Sequence, residues 1–348
     1  MRGPVSGSDG PLVAVTGASG FIAEHTIVAL LAKGYRVRGT LRSMAREDGL
    51  RRMFADHASI EGRLEFVEAD LDADARWEHA MAGCSYVMHI ASPFPKEDPS
   101  DEQDLIRPAR EGALRVLRAA SSAGVSRVVM TSSLAAVIYG HGGPGHVCDE
   151  SHWSDPDKDI GAYPKSKTLA ERAAWELLPQ LPAARRPQLV VINPGLVLGP
   201  VLEADTSTSV EVVRKLLARE LPGCPRLGWS LVDVRDVAGA HIAAMECPRA
   251  AGKRYCCATE HMWLKEMAAI ISVGVSGRGY RVPTRGLPDI LMRAVALFDK
   301  TARMAVRSLG KREDVSTERI RSELAWRPMA AAKTLIDTAE SLIARGVV

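Results

Sequence analysis

The sequence predicts an α/β protein: a doubly wound parallel sheet with a smaller α/β lobe toward its C-terminal end. Three observations predict it. Leu12 to Val15 is an apolar run long enough for one buried strand and too short for a helix. Gly17 and Gly20 follow at once, and Phe21 to Lys33 carries helical spacing that Gly34 closes. Short apolar runs then alternate with helical stretches to about residue 200, where the rhythm breaks.

Strand, Gly turn and helix in that order form the first βα unit of a Rossmann-type dinucleotide fold. A missing Cβ lets the turn bend sharply and lets the backbone approach a pyrophosphate. The helix N-terminus then offers N–H groups that have no partner inside the helix. Gly17, Ser19 and Gly20 make the turn, and Ala23 completes a G-x-x-G-x-x-A spacing that allows close helix–strand packing. Ile22, Ile27, Leu30 and Leu31 take the inward positions. Alone, such a motif fits a Gly turn in any α/β protein; its place after a strand at the head of the chain gives it weight.

Tyr35 to Leu41 reads as the second strand. It ends on Thr40, Leu41 and Arg42, without the Asp or Glu that holds a ribose 2′-hydroxyl in NAD sites. A guanidinium pairs bidentately with phosphate, so Arg42 predicts a preference for NADP(H), with Ser43 as a helper and NAD(H) left open. Residues 45 to 57 are helical. Leu64 to Val67 is the third strand, and Asp70 just beyond it can accept from an adenine amino group or cap a helix over 74 to 82. Cys84 to Ile90 is the fourth strand, apolar throughout as for a strand buried on both faces. Ala91 and Ser92 are small enough to seat a nicotinamide ribose, and Phe94 either walls a substrate pocket or packs in the core.

Asp101 to Ala123 is a long helix with Leu105, Ile106, Ala109, Leu114 and Leu117 inward, stopped by Gly124. Arg127 to Thr131 is the fifth strand, with Thr131, Ser132 and Ser133 at its carboxyl end. Open α/β sheets bind ligands on that edge. Residues 140 to 159 form a surface excursion whose His141, His146 and His152 read as solvent-exposed loop histidines. A helix runs from Ala162 to about Leu178, with Pro164 in its first turn. Leu189 to Ile192 is the sixth strand, followed by Asn193-Pro194-Gly195. Further on come a helix over 210–221, a strand over 229–232, a helix over 236–246 and a strand over 254–258. Helices over 263–272, 287–306 and 331–344 finish the chain. The expected division is a dinucleotide-binding domain over 10–200, with contributions from 228–258, and a mostly substrate-binding lobe over 201–348.

Bulk properties narrow the function. With 46% hydrophobic and 25% charged residues over 348 positions, the chain is an ordinary globular protein with a large core. A net charge of +3 gives no reason to expect nucleic acid or an anionic membrane as partner. The cysteines make no C-x-x-C and have no ligand-spaced histidines, so no metal is expected. Met1 to Gly10 is polar and Gly-rich, without an apolar signal core, and with the cysteines expected to be reduced a cytoplasmic location is the expectation.

The chemistry is concentrated at Tyr163 and Lys167, four apart on one helix and hence on one face. A neighbouring ammonium favours phenolate and brings the phenol toward neutrality, where general acid–base work is efficient. Lys167 can also hold ribose hydroxyls. A serine at the end of the fifth strand can donate to a substrate carbonyl oxygen. Ser133 is the choice, with Ser132 the near alternative. A lone Y-x-x-x-K says little; its order after the Gly turn and T-S-S, and before N-P-G, puts all four on one sheet edge.

T-G-A-S-G-F-I-A at 16–23, H-I-A-S-P-F at 89–94, T-S-S at 131–133, D-E-S-H-W-S at 149–154 and A-Y-P-K-S-K at 162–167 resemble the extended short-chain dehydrogenase/reductases. So do N-P-G-L-V-L-G-P at 193–200, V-D-V-R-D-V-A-G-A-H-I at 232–242 and L-A-W-R-P at 324–328. Within that superfamily the chain is most similar to the dihydroflavonol 4-reductase group, with its cinnamoyl-CoA reductases and microbial aldehyde and methylglyoxal reductases. The resemblance implies that Gly17, Gly20, Phe21 and Ile22 hold a pyrophosphate, Arg42 the 2′-phosphate, and Asp70 with Leu71 the adenine. It implies Ala91 and Thr131 beside the nicotinamide ribose, and Pro194 and Val197 against the nicotinamide. Substrate would meet Phe94, Ser133 and Tyr163. The loop before Tyr163 and residues 201–228 depart from any named subgroup, so the substrate does not transfer. The implied activity is NADPH-dependent reduction of a ketone or aldehyde, or the reverse oxidation, by a monomer or homodimer. The alternatives are an NAD-dependent epimerase/dehydratase or 3β-hydroxysteroid dehydrogenase-type enzyme, and a non-catalytic NADP-sensing protein.

Overall fold

The computed structural model describes residues 10–93, 99–141, 145–204, 208–298 and 300–348. In chain order the strands are β1 (Leu12–Val15), β2 (Arg36–Leu41), β3 (Leu64–Glu68), β4 (Tyr86–His89), β5 (Arg127–Thr131), β6 (Val147–Cys148) and β7 (Gln188–Pro194). They continue with β8 (Leu196–Leu198), β9 (Gly228–Asp233), β10 (Arg254–Cys257), β11 (His261–Trp263) and β12 (Asp314–Val315). The helices are α1 (Phe21–Ala32), α2 (Glu47–Ala55), α3 (Trp77–Met81), α4 (Gln103–Ser122), α5 (Ala162–Leu177) and α6 (Glu211–Leu217). After them come α7 (Val234–Glu246), α8 (Leu264–Gly274), α9 (Asp289–Val295), α10 (Lys300–Arg307), α11 (Glu318–Leu324) and α12 (Ala331–Ala344).

Seven strands form one parallel sheet in the order β3-β2-β1-β4-β5-β7-β10. The chain leaves β1 toward β2 on one side and returns to β4 on the other, so the crevice of a doubly wound sheet opens beside the Gly17 turn. One core packs α1, α2 and α7 on the sheet through Ile27, Leu30, Leu50, Phe54, Val237 and Tyr255. The opposite core packs α3, α4 and α5 through Met81, Val116, Leu117, Val128, Ala174 and Leu189. A third core gathers Leu198, Leu231, Val213, Met267, Ile271 and Leu335, joining the small sheet β8-β9-β11 to α6, α8 and α12.

Several local readings change. On α1, Ile22 is only partly buried, whereas Glu24 and His25 are buried. The helix is covered on more than one side, and His25 Nε2 donates to the Pro200 carbonyl at 2.9 Å. Burial pushes the His25 pKa down to about 4, so that imidazole is neutral. The helix expected over 287–306 is two helices; Leu297 and Phe298 between them are 71% and 91% exposed, so a continuous helix had no apolar face to bury there. The two-residue strands β6 and β12 pair in parallel and tie the loop before α5 to the segment before α11, a contact too short to leave a periodic signal.

Candidate active site

The turn after β1 is built around Gly17, whose φ of +68° is costly for a residue with a Cβ. A Cβ there would also stand 2.9 Å from the Ala91 Cβ. Gly17 N–H donates to Thr40 Oγ1 at 3.1 Å and Ala18 N–H to the Thr40 carbonyl at 2.9 Å, so the end of β2 pins the turn. Ser19 and Gly20 are on its outer side. Gly20 is exposed and begins α1 without a side-chain cap, which leaves the first-turn N–H groups to an outside acceptor.

Thr16, just before the turn, reaches the end of β4. Its hydroxyl accepts from Ile90 N–H and Ala91 N–H, both at 3.0 Å, and lies 3.0 Å from His89 Nδ1. With both lone pairs used, the hydroxyl proton goes to Nδ1, and His89 carries its own proton on Nε2. Burial, with Lys167 adding to it, holds the His89 pKa down at about 3. Sequence reasoning passed over this pair, which fixes the position of Ala91 against Gly17.

A cavity at the carboxyl end of β4 and β5 is lined by His89, Ala91, Ser92, Thr131, Ser132 and Lys167. The Thr131 hydroxyl is committed to His241 Nε2 at 2.6 Å, so this residue offers the cavity no free hydroxyl. Ser132 Oγ is buried without a hydrogen-bond partner among the described residues. Ser133 Oγ accepts from Ala135 N–H at 3.1 Å, capping a short turn, and shares a hydrogen bond with the Tyr163 phenol. The Lys167 ammonium is 5.7 Å from the centre of the Tyr163 ring. Ser133, Tyr163 and Lys167 are thus brought together, and between the two serines it is Ser133 that meets the phenol.

The model of the NAD dependent epimerase/dehydratase family matches residues 13–258. The chain belongs to this family, the extended short-chain dehydrogenase/reductases. It is 38% identical over 267 residues to cinnamoyl-CoA reductase 1 of Petunia hybrida, covering 76% of this chain and 77% of that protein. It is 34% identical over 288 residues to a Vitis vinifera anthocyanidin reductase, covering 78% and 82%. Among solved structures it resembles the yeast methylglyoxal/isovaleraldehyde reductase Gre2 complexed with NADPH, with a TM-score of 0.79 and 26% identity over 97% of this chain and 100% of that one.

In this family member the electrostatics of the site differ from the sequence expectation. The ammonium was expected to draw the phenol toward neutrality. Instead burial raises the Tyr163 pKa above the ordinary phenol value, and the Ser133 hydrogen bond opposes that rise. Desolvation of the phenolate outweighs the hydrogen bond that would stabilise it. Lys167 is itself buried, which pushes its pKa down to about 8 against the opposing pull of Glu171.

The remaining sites divide by what already occupies them. Arg42 is exposed at the end of β2 and makes no hydrogen bond or ion pair with the described residues. Ser43 Oγ accepts from Ala45 N–H at 3.3 Å, capping a one-turn helix. Asp70 does not cap a helix over 74–82: its carboxylate accepts from Asp72 N–H at 3.0 Å in a local turn, and α3 begins after Arg76. Leu71 packs toward Gly112 of α4, where a Cβ would stand 3.2 Å from its own. Phe21 and Ile22 are half-buried at the start of α1, and Pro194 and Val197 are buried on β7 and β8. Phe94 lies outside the described residues. His141, His146 and His152 are not scattered loop residues; their ring centres lie 5.0 to 5.5 Å apart, and only His146 is fully exposed. Among the described residues no three His, Cys, Asp or Glu side chains are placed to share a metal ion.

Proposed function

We propose that this protein is an NADPH-dependent reductase that converts a ketone or aldehyde to the alcohol, or runs the reverse oxidation. The observation that carries the reading is the contact of Ser133 with Tyr163, with Lys167 one turn further on, at the sheet edge that also holds the Gly17 turn. The exposed, unpaired Arg42 and the uncapped start of α1 form a donor set that fits a phosphorylated dinucleotide.

Gly17, Ser19, Gly20, Phe21 and Ile22 hold the pyrophosphate of NADPH, Arg42 its 2′-phosphate, and Asp70 and Leu71 its adenine. Ala91, Ser92, Thr131 and Lys167 flank the nicotinamide ribose, and Pro194 and Val197 support the ring. When bound, NADPH supplies the hydride that reduces the carbonyl carbon. Tyr163 gives its proton to the carbonyl oxygen, and Ser133 donates a hydrogen bond to that oxygen as it gains charge. A phenol kept neutral by burial stands ready as the acid, and the Lys167 cation offsets the charge left on it once the proton has gone. The 201–348 lobe and the loop before α5 wall the substrate.

The test is NADPH consumption against a carbonyl panel spanning small aliphatic aldehydes, cinnamoyl thioesters and flavonoid ketones. Tyr163→Phe, which keeps the ring and removes the acid, is expected to lower kcat by about 10²- to 10⁴-fold. Full activity in that variant removes Tyr163 from the chemistry.

A further inference from the structure

Four functional segments meet at one buried carboxylate that none of the motifs above uses. Glu171 lies one turn after Lys167 on α5, and its side chain is wholly buried. Its Oε2 accepts from Asn193 Nδ2 at 2.8 Å and from Arg254 Nη2 at 3.0 Å. Its Oε1 lies 2.8 Å from Arg254 Nε and accepts from Trp175 Nε1 at 3.3 Å. Asn193 Nδ2 also donates to the Ser133 carbonyl at 3.2 Å, and Asn193 immediately precedes Pro194. Arg254, on the edge strand β10, donates through Nη1 to the His152 carbonyl at 2.7 Å. Its guanidinium lies 3.7 Å from the centre of the Trp153 ring.

The carboxylate is therefore one contact from the strand that ends in Pro194 and, through Arg254, two contacts from the loop before α5. It is two contacts from the backbone of Ser133, and it shares a helix with Tyr163 and Lys167. Stability alone gives little reason to keep such a pair. Desolvating two charges is expensive, and well-packed apolar residues often replace a buried ion pair without loss. What the ion pair adds is direction: Arg254 Nη2 donates to Oε2 of Glu171, while Nη1 of the same planar guanidinium donates to the His152 carbonyl, so one rigid group ties the carboxylate to that loop.

The same carboxylate faces the Lys167 end of α5. The groups around Lys167 are neutral His89 from β4, Tyr163 on its own helix, Ser132 after β5, and Ala109 and Ala113 of α4. Around Glu171 stand Arg254 and Cys256 of β10, Asn193 of β7, and Trp175. Among the described residues, Glu171 is the anion that acts on Lys167.

We propose that Glu171, held by Arg254, is a positioning residue for the reaction: through Asn193, Arg254 and its own helix it sets Ser133, Pro194 and Lys167 in one frame. The inference rests on the roles given above to Ser133, Tyr163 and Lys167.

Three variants test it: Glu171→Gln, Glu171→Asp and the double variant Glu171→Gln/Arg254→Met. The double variant removes the cation that the single one leaves buried and unpaired, so it decides the matter if Glu171→Gln does not fold. Loss of the frame is expected to lower kcat about 10²-fold, the scale of a misplacement near 1 Å. KM for NADPH is expected to change far less. An alkaline limb of kcat set by Lys167 is expected to move to lower pH in Glu171→Gln, which removes the anion that raises the Lys167 pKa. Glu171→Asp restores part of both. NMR titration of labelled lysine follows the same displacement without turnover. A double variant that melts like the unaltered protein and keeps its kcat overturns the proposal. An unaltered protein that reduces nothing in the carbonyl panel overturns the functional reading instead, and the lysine titration then still decides whether Glu171 sets the charge of Lys167.

Discussion

Helices α5 and α9 are held in opposite ways. Along α5, Ala162, Pro164, Ser166, Lys167, Ala170, Glu171 and Ala174 are buried; Ser166 bonds back to the Tyr163 carbonyl, and Glu171 is held by Asn193 and Arg254 from the sheet. Helix α9 has no buried residue; Ile290, Leu291 and Val295 are exposed, and Leu297 and Phe298 beyond its end are more so. One helix is fixed from several directions by charge and packing, while the other leaves its apolar side chains in solvent. The comparison teaches that the proposed reaction is assigned to the helix whose groups are fixed, as chemistry that depends on fractions of an ångström requires, while the exposed one offers area without direction.

The largest effect that sharpens this comparison is expected at the turn facing α5. Gly17→Ala adds a Cβ 2.9 Å from Ala91 at a φ of +68°, and Ala91 is itself held by Thr16, so neither side can yield cheaply. A left-handed non-Gly residue costs about 1–3 kcal/mol. Nucleotide affinity is expected to fall by a comparable amount, because the turn is what approaches the phosphates. Thermal melts with and without NADPH read the two losses separately. A variant that binds NADPH as tightly as the original would show that the turn is not in the nucleotide site.

A smaller effect tests whether exposure alone separates the two regions. Arg42 is as exposed as much of α9, yet it stands at the sheet edge with no partner among the described residues. Arg42→Ala is expected to weaken NADPH by about 10- to 100-fold, the value of one or two charge-assisted hydrogen bonds at about 1.5–3 kcal/mol, and to leave NADH unchanged. Equal losses for both nucleotides would move Arg42 away from the 2′-phosphate.

The same contrast explains what could be read from the sequence. Strands β1, β4, β5 and β7 lie in the sheet interior and appear as apolar runs because both faces are buried. Tyr163 and Lys167 were legible because helical spacing alone puts them on one face. The Glu171–Arg254–Asn193 cluster was not, since its three members come from separate elements and only closure of the sheet brings them together. The direction of the Tyr163 shift was not legible either. It depends on how deeply the phenol is desolvated, and a residue four positions away says nothing about that. The break between α9 and α10 was hidden for the converse reason: the apolar spacing continues through Leu297 and Phe298, but nothing packs against it.

The smallest expected effect is at Phe298, 91% exposed. Removing an apolar ring that buries almost nothing leaves both states of the chain nearly equally solvated, so Phe298→Ser is expected to change stability by less than about 0.5 kcal/mol. Carbonyl reduction is expected to keep its kcat, because no contact links this residue to the Ser133–Tyr163 pair. The informative quantity is KM for a bulky substrate against a small aldehyde. If both stay fixed, α9 lies outside the reaction and the division drawn between the two helices holds. If KM rises for the bulky substrate alone while kcat and the melt are unmoved, the exposed side chains border the route by which large substrates arrive. The two helices would then differ in what they do for one reaction: α5 orients the reacting groups, and α9 selects what reaches them.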